Sequence, residues 1–418
     1  MLPLYNLFVR LYYSGIRLAS LRNKKAGKWI AGRKNVFATL EANIAPSDRV
    51  IWMHCSSAGE FEQGKPVIEA LKNEYPTHKV VVSFFSPSGY EVAGKYPHAD
   101  VITYLPLDTR SNAKQFIKIL HPELVIFVKY EFWYHHLAEA AFHHIPILLI
   151  SATFREDQLF FKKYGRFFRQ ILFLFRHIFV QDKASLDILQ KNGIAHASIS
   201  GDTRFDRVKE LTSQTQEIDF IREFIGEQKV IVAGSSWEDD EKLLADFTRH
   251  TPDVKLILAP HEINASHLQA IDVVFGKTVR YSSLQQDNSP DFVEEQVLVI
   301  DSVGLLSRLY QYATIAYVGG GFTKDGIHNT LEAAVWEKPV VFGPNYKKYR
   351  EAKELIEVGG GFSIADEGAL KKLADHLFAD EQALQAASKN AGNYVVANTG
   401  ATDKILQWLQ EKRLLTKL

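Results

Sequence analysis

The sequence predicts an α/β protein made of two doubly wound, Rossmann-like domains. Three observations predict it. The chain has 418 residues, too many for one ordinary core of about 100–200 residues. Its β-rich runs are short and continuous in Val and Ile rather than alternating, and helical intervals such as 65–73 and 238–249 separate them. That is the mark of parallel strands covered on both faces. The series also occurs twice, on either side of a polar stretch at 211–228.

Composition narrows the function classes. The chain is 46% hydrophobic and 23% charged, which excludes a disordered chain. Lys+Arg and Asp+Glu are both 49, so a wholly basic nucleic-acid binder is excluded. The single cysteine, Cys55, forms neither an internal disulfide nor a cysteine-based zinc site, and fits a reducing compartment.

Residues 1–34 form the first element. From Met1 to Leu40 there is no acidic residue, yet Arg10, Arg17, Arg22, Lys24, Lys25, Lys28, Arg33 and Lys34 occur. Arg10 and Arg17 interrupt the apolar run, so no spanning stretch of ~18 uncharged residues exists. The uncharged start argues against a cleaved secretory signal. On a helix Asn6, Arg10, Ser14 and Arg17 form one stripe, with Leu4, Phe8, Leu11, Tyr12 and Leu18 mostly away from it. Such a helix lies in a membrane interface, held by apolar burial and anionic headgroups; packing on the protein's own core is the alternative. A second aromatic and basic segment, 160–179, has a first half that suits a lipid-facing surface.

The first domain, 35–210, carries strands near 50–54, 79–85, 124–128, 145–150 and 177–181. The linker is 211–228. The second domain, 229–395, carries strands near 229–234, 255–260, 296–301, 315–320 and 338–343. Residues 396–418 read as a C-terminal helix that packs back on the first domain. Two such domains are expected to face a central cleft. Ligands of open α/β sheets bind beyond the carboxyl ends of the strands, so the residues after each strand are the candidates for chemistry.

Five strand-end segments stand out. In HCSSAGEFEQGKP (54–66) a small-residue turn opens a helix and sets Glu60 at the strand's carboxyl end. A carboxylate there accepts a proton from a hydroxyl, or simply complements the helix dipole. His54 and Cys55 beside it suggest a nucleophile or buried strand residues. In FVKYEFWYHHL (127–137), Glu131 precedes Phe132 and Trp133 and suits sugar recognition, charge stabilisation or a helix start. In SISGDTRFDRV (198–208), Arg204 suits a phosphate or carboxylate, or pairs with a loop aspartate. In VAGSSWEDDE (232–241), Ser235 and Ser236 offer a phosphate seat or a helix cap; the segment lacks the P-loop pattern. In YVGGGFTKDGIHNTLEAAVWEKPVVFGP (317–344), Gly320 and Gly321 allow close approach of a phosphate or sugar, and Glu332 suits ribose hydroxyls. No metal-binding constellation stands at a strand end: Asp239–Asp240 opens a helix, and Asp287 and Asp291 sit in a polar loop.

Taken together, S-x-G-E, E-x-W, G-x-x-[KR]-F-D, G-G-x-x-x-x-x-G-x-H-N-x-L-E and K-P-V-x-F-G-P, in that order over roughly residues 45–400, resemble the Kdo transferases. These enzymes place 3-deoxy-D-manno-octulosonic acid on the lipid A precursor of lipopolysaccharide. The resemblance implies a GT-B glycosyltransferase that inverts configuration, takes CMP-Kdo as donor and lipid IVA as acceptor, needs no metal or cofactor, and works at the cytoplasmic face of the bacterial inner membrane against anionic lipids, with no nucleic acid as partner. It implies Glu60 as general base, Glu131 as a transition-state carboxylate, and Arg204 in a supporting role where the family usually has lysine. On the donor side it implies Pro260 and His261, the turn Val303, Gly304 and Leu305, and the run Asn329, Thr330, Leu331 and Glu332. The chain departs from the family at Glu262, where arginine is usual, at Leu305 for glutamate, at Tyr134 for proline, and at Ser151-Ala152-Thr153 for N-A-R.

Overall fold

The computed structural model describes residues 1–94, 96–129, 132–213, 217–285 and 295–416. It divides into two compact units, Met1–Arg207 with Thr399–Leu418, and Val208–Asn398. Among the described residues each unit holds one parallel sheet of seven strands.

In the first unit the strands are β1 (Val50–Cys55), β2 (Lys79–Phe84), β3 (Val101–Tyr104), β4 (Leu124–Val128), β5 (Ile147–Ala152), β6 (His177–Val180) and β7 (Ala197–Ile199). Their order is β3-β2-β1-β4-β5-β6-β7. β1 and β4 are buried along their whole length, because successive side chains feed two different cores. Trp52 and Phe127 join one face, with Phe116 and Leu137. Ile51, Met53, Ile126 and Val128 join the other, with Val67 and Leu71. The strand order reverses between β1 and β4, which are paired with His54 opposite Phe127. That reversal is the topological switch point, where the flanking connections leave to opposite faces and open a crevice.

The second unit repeats the plan with β8 (Lys229–Ser236), β9 (Val254–Pro260), β10 (Val279–Arg280), β11 (Val297–Val299), β12 (Ile315–Val318), β13 (Val340–Phe342) and β14 (Gly361–Ser363). Its order, β10-β11-β9-β8-β12-β13-β14, reverses between β8 and β12. The strands β3, β7, β10 and β14 have no counterpart among the ranges read from the sequence. Each is short and lies at a sheet edge, where little continuous apolar sequence is needed.

Two terminal segments complete the first unit. Helix Ala401–Glu411 sends Ile405 and Leu409 into its core. Asp206 fixes the start of that helix, accepting from the amides of Gly400 at 2.6 Å and Thr402 at 2.7 Å and from the Thr402 hydroxyl at 2.7 Å. The N-terminal helix, Leu2–Ala19, starts on Pro3 at its first turn and buries Val9. Its opposite side leaves Leu4, Leu7, Phe8, Leu11 and Leu18 more than half exposed. Among the described residues no helix is long and apolar enough to cross a membrane. In the second aromatic–basic segment Phe160, Phe161 and Phe168 pack against the core, while Tyr164 and Phe173 stay exposed.

Candidate active site

Some of the residues that the strand ends predicted stand at the two switch points. At the first, β1 gives way to helix Ala58–Glu74, whose N-cap Ser57 accepts from the Glu60 amide at 3.4 Å. Glu60 occupies the third helical position, so its carboxylate reaches back toward the chain before the helix, as in a capping box. Glu60 Oε2 accepts the Ser56 amide hydrogen, and the residue is 7% exposed. The capping role and a position just past the carboxyl end of β1 therefore coexist in one side chain.

His54 and Cys55 lie behind this turn and take no nucleophile's position. Both are buried. Burial, with the Glu60 carboxylate adding to it, pushes the Cys55 thiol well up, the reverse of what an active thiolate needs. Burial pushes His54 down to about 3, with the neighbouring His136 adding to it. The ring is therefore neutral at pH 7. Trp133, whose indole only donates, bonds His54 Nε2 at 3.2 Å, so the ring hydrogen sits on Nδ1, 2.9 Å from Ser83 Oγ. Ser56 Oγ lies 3.3 Å from the same Nε2. The imidazole thus ties the loop after β4 to the turn that holds Glu60.

Glu131 lies outside the described residues. On its N-terminal side Lys129 has a left-handed backbone, φ 63°. On its C-terminal side Trp133 stacks on Phe85 with centroids 4.6 Å apart. Tyr134 stands where the family usually has proline. Its amide donates to the Tyr5 hydroxyl at 3.2 Å, a bond proline has no hydrogen to make. Tyr5 in turn donates to Asp108, so the N-terminal helix is fastened directly to the loop after β4.

Arg204 opens helix Thr203–Ser213 and turns back onto its own loop. Its Nε donates to Asp202 Oδ2 at 2.9 Å, and an Nη lies 2.7 Å from the same oxygen. Asp202 Oδ1 accepts from Gln63 at 3.2 Å, and Thr203 Oγ1 donates to the Gln63 carbonyl at 2.6 Å. Gln63 lies one turn beyond Glu60 on the same helix. Arg204 is therefore locked to the Glu60 helix through Asp202, and the loop pair weighed as its alternative role is present.

At the second switch point β8 bulges against β9 between Gly234 and Ser236, with Ser235 left-handed at φ 55°. Ser236 is buried and donates to Glu241 Oε1 at 2.9 Å, so its hydroxyl serves the helix start. Asp240 accepts from the Trp237 amide at 3.0 Å, the Gly320 amide at 2.8 Å and the Tyr317 hydroxyl at 2.7 Å, joining the turns after β8 and β12. The glycines there are steric necessities. A Cβ on Gly319 would lie 2.4 Å from the Ser235 carbonyl oxygen, and one on Gly321 would lie 2.4 Å from the Gly343 nitrogen.

Three rings that the sequence does not bring together form a ladder over these turns. Trp237 stacks on His261 at 4.7 Å, and His261 on His328 at 4.4 Å. Trp237 Nε1 also donates to His328 Nε2 at 3.1 Å. Burial, then the neighbouring His261, holds His328 down at about 4, so it is neutral and carries its hydrogen on Nδ1. Pro260 is buried at the end of β9. Asn329 donates to Glu332 Oε1 at 3.0 Å and accepts from the Leu331 amide at 3.1 Å. Leu331 and Thr330 are fully buried, and Thr330 Oγ1 has no hydrogen-bond partner. In the 303–305 turn Val303 is 87% exposed and Gly304 has φ 88°.

Comparison with known proteins bears directly on this geometry. Residues 31–207 match the family model described as 3-Deoxy-D-manno-octulosonic-acid transferase (kdotransferase). A 3-deoxy-D-manno-octulosonic acid transferase of Rickettsia felis is 28% identical over 381 residues, 88% of this chain and 80% of the relative. One of Aquifex aeolicus is 27% identical over 348 residues, 81% of this chain and 89% of the relative. The chain is thus similar to the Kdo transferase family over most of its length. Among solved structures it is similar to the UDP-GlcNAc 2-epimerase of Neisseria meningitidis, with TM-score 0.62 and 16% identity over 87% of this chain and all of that one. That likeness establishes the fold, two Rossmann-like units of the GT-B class. Glu60 and Asn329–Glu332, which the resemblance implies as site residues, follow strands of the two switch-point pairs. Trp237, Asp240 and His328 are the residues that strand-end reasoning missed as a group. Only the tryptophan directly after the Ser235–Ser236 turn hinted at them.

Proposed function

We propose that the protein transfers Kdo from CMP-Kdo to lipid IVA in lipopolysaccharide synthesis, with inversion and with Glu60 as general base. The observation that supports this most is the Glu60 carboxylate at the carboxyl end of β1, beside the switch point, in an S-x-G-E turn similar to that of the Kdo transferases. The donor's anomeric carbon is fully substituted and bears a carboxylate, so departure of CMP develops oxocarbenium character. The acceptor hydroxyl attacks from the opposite face and gives its proton to Glu60.

The donor side of the reading falls to the second unit. The Ser235 turn and the Gly321 amide cradle the phosphate, and Glu332 takes the ribose hydroxyls. The Trp237–His261–His328 ladder and the Val303–Leu305 turn flank the nucleotide. Arg204 contributes through Asp202 and Gln63, steadying the helix of the base, and Glu131 stabilises developing charge. The chain needs no metal ion for this, since the leaving phosphate is met by amides and side chains.

The exposed Leu4, Leu7, Phe8, Leu11 and Leu18 support docking of the N-terminal helix into the cytoplasmic leaflet of the inner membrane, where the acceptor's acyl chains lie. Mass spectrometry of the lipid product after incubation with CMP-Kdo and lipid IVA tests the reading. Addition of one or more Kdo masses is expected. An unchanged acceptor, or transfer from a UDP-sugar instead, overturns it.

A further inference from the structure

The polar side of the N-terminal helix borders an open cavity of about 700 Å³ in the first unit. Two helices supply its polar wall at i, i+4 spacing: Asn6 and Arg10 from Leu2–Ala19, and Arg110 and Lys114 from Arg110–Leu120. Among the described residues none of the three cations has a carboxylate partner. Like charges at i, i+4 repel, so Arg110 and Lys114 are held together at a cost that an anion would relieve.

Asp108 also borders the cavity, but its carboxylate is spent. It accepts from the Tyr5 hydroxyl, from the amides of His135 at 3.0 Å and His136 at 3.1 Å, and from His136 Nδ1 at 2.6 Å. His135, also buried, donates from Nε2 to Asn6 Oδ1 at 2.6 Å, which fixes the Asn6 amide and leaves its NH2 group as a donor. The positive end of the helix Arg110–Leu120 opens on the same wall, at Thr109 and Ser111. The cavity is far larger than a phosphate ion needs and suits a sugar-sized ligand. The apolar stripe of the same N-terminal helix runs beside it.

From this we infer that the cavity seats a phosphomonoester on a glycolipid headgroup, with Arg10, Arg110 and Lys114 meeting the dianion and Asn6 donating to it. The inference rests on the acceptor being a lipid, and deepens that reading by assigning the group through which it is recognised.

The test has a binding arm that needs no turnover. Wild type is expected to bind phosphatidylcholine vesicles doped with phosphatidic acid, a monoester, more tightly than vesicles doped to equal surface charge with phosphatidylglycerol, a diester. The Arg110→Ala, Lys114→Ala double variant is expected to lose roughly thirtyfold on phosphatidic acid and to treat the two vesicles alike. Arg110→Lys with Lys114→Arg is expected to keep the preference, which separates charge from folding. In the transfer arm the alanine variant is expected to raise KM for lipid IVA more than it lowers kcat, with little further change on phosphatase-treated acceptor. Failure of wild type to transfer Kdo would sink the functional reading while leaving the vesicle preference standing. Retention of the phosphatidic acid preference by the alanine variant, or its abolition in wild type by equimolar inorganic phosphate, would overturn the cavity's assignment.

Discussion

Trp133 donates its indole hydrogen to Nε2 of His54 at 3.2 Å, and that one bond fixes the protonation of the histidine behind the Glu60 turn. An imidazole that accepts from tryptophan on one nitrogen and faces Ser83 with the other has no room for a second proton. The ring holds the Ser56–Glu60 turn in place as a neutral spacer.

Acid should therefore destabilise the first unit. In the folded state His54 is depressed to about 3, against an ordinary value near 6.5. Between those values the unfolded chain binds a proton that the folded chain refuses, so this stability is present above pH 6.5 and drains away as pH falls. The loss by pH 4 is on the order of 3 kcal/mol. His177, held at about 4 by burial, acts in the same direction. Urea midpoints measured from pH 7 to pH 4 are expected to fall steeply in wild type and more gently in His54→Gln. Equal slopes would mean that His54 titrates normally.

The ring ladder of the second unit predicts a graded effect on nucleotide binding. Trp237→Phe keeps a stacking face but loses the hydrogen bond to His328, and Trp237→Ala loses both. CMP affinity, read by calorimetry, is expected to fall about tenfold for alanine and less for phenylalanine. A Trp237→Ala protein that binds CMP as wild type does would remove the ladder from the donor site.

Two kinds of substitution separate anchoring from folding in the N-terminal helix. Leu4→Glu and Leu11→Glu lie on the exposed stripe. Each is expected to lower partition onto anionic vesicles by at least about tenfold with the urea midpoint unchanged. Tyr5→Phe instead strips a donor from buried Asp108 and is expected to cost about 1–3 kcal/mol of stability. Vesicle flotation unchanged by both glutamates would place the stripe elsewhere than in the lipid.

Chelation should do nothing. The proposed route meets the leaving phosphate with backbone amides and side chains. Initial rates with and without excess EDTA are expected to coincide, and loss of transfer on chelation would require a metal-dependent mechanism.

Much of this architecture was legible because parallel strands buried on both faces leave continuous apolar runs, as in Leu124–Val128 and Lys79–Phe84. The small-residue turns after β1, β8 and β12 were legible for a related reason: only Ser, Ala and Gly fit there, as the contacts of Gly319 show. The strand Val101–Tyr104 was not, since four residues at a sheet edge leave too short a run to stand out. The roles of Arg204 and Ser236 were half legible. Charge and hydroxyl pointed to a phosphate, but their partners Asp202 and Glu241 are local, and sequence does not rank a local bond against a ligand. The Trp237–His261–His328 ladder had no signature, because its members meet only once β8, β9 and β12 lie side by side.

The central claim is that the Glu60 carboxylate takes the acceptor's proton. Its most direct test compares Glu60→Gln with wild type in Kdo transfer from CMP-Kdo to lipid IVA, with CMP binding measured on both proteins. A loss of about 10²–10⁴ in rate with CMP affinity preserved is the predicted result. Near-normal turnover by the glutamine variant would contradict it.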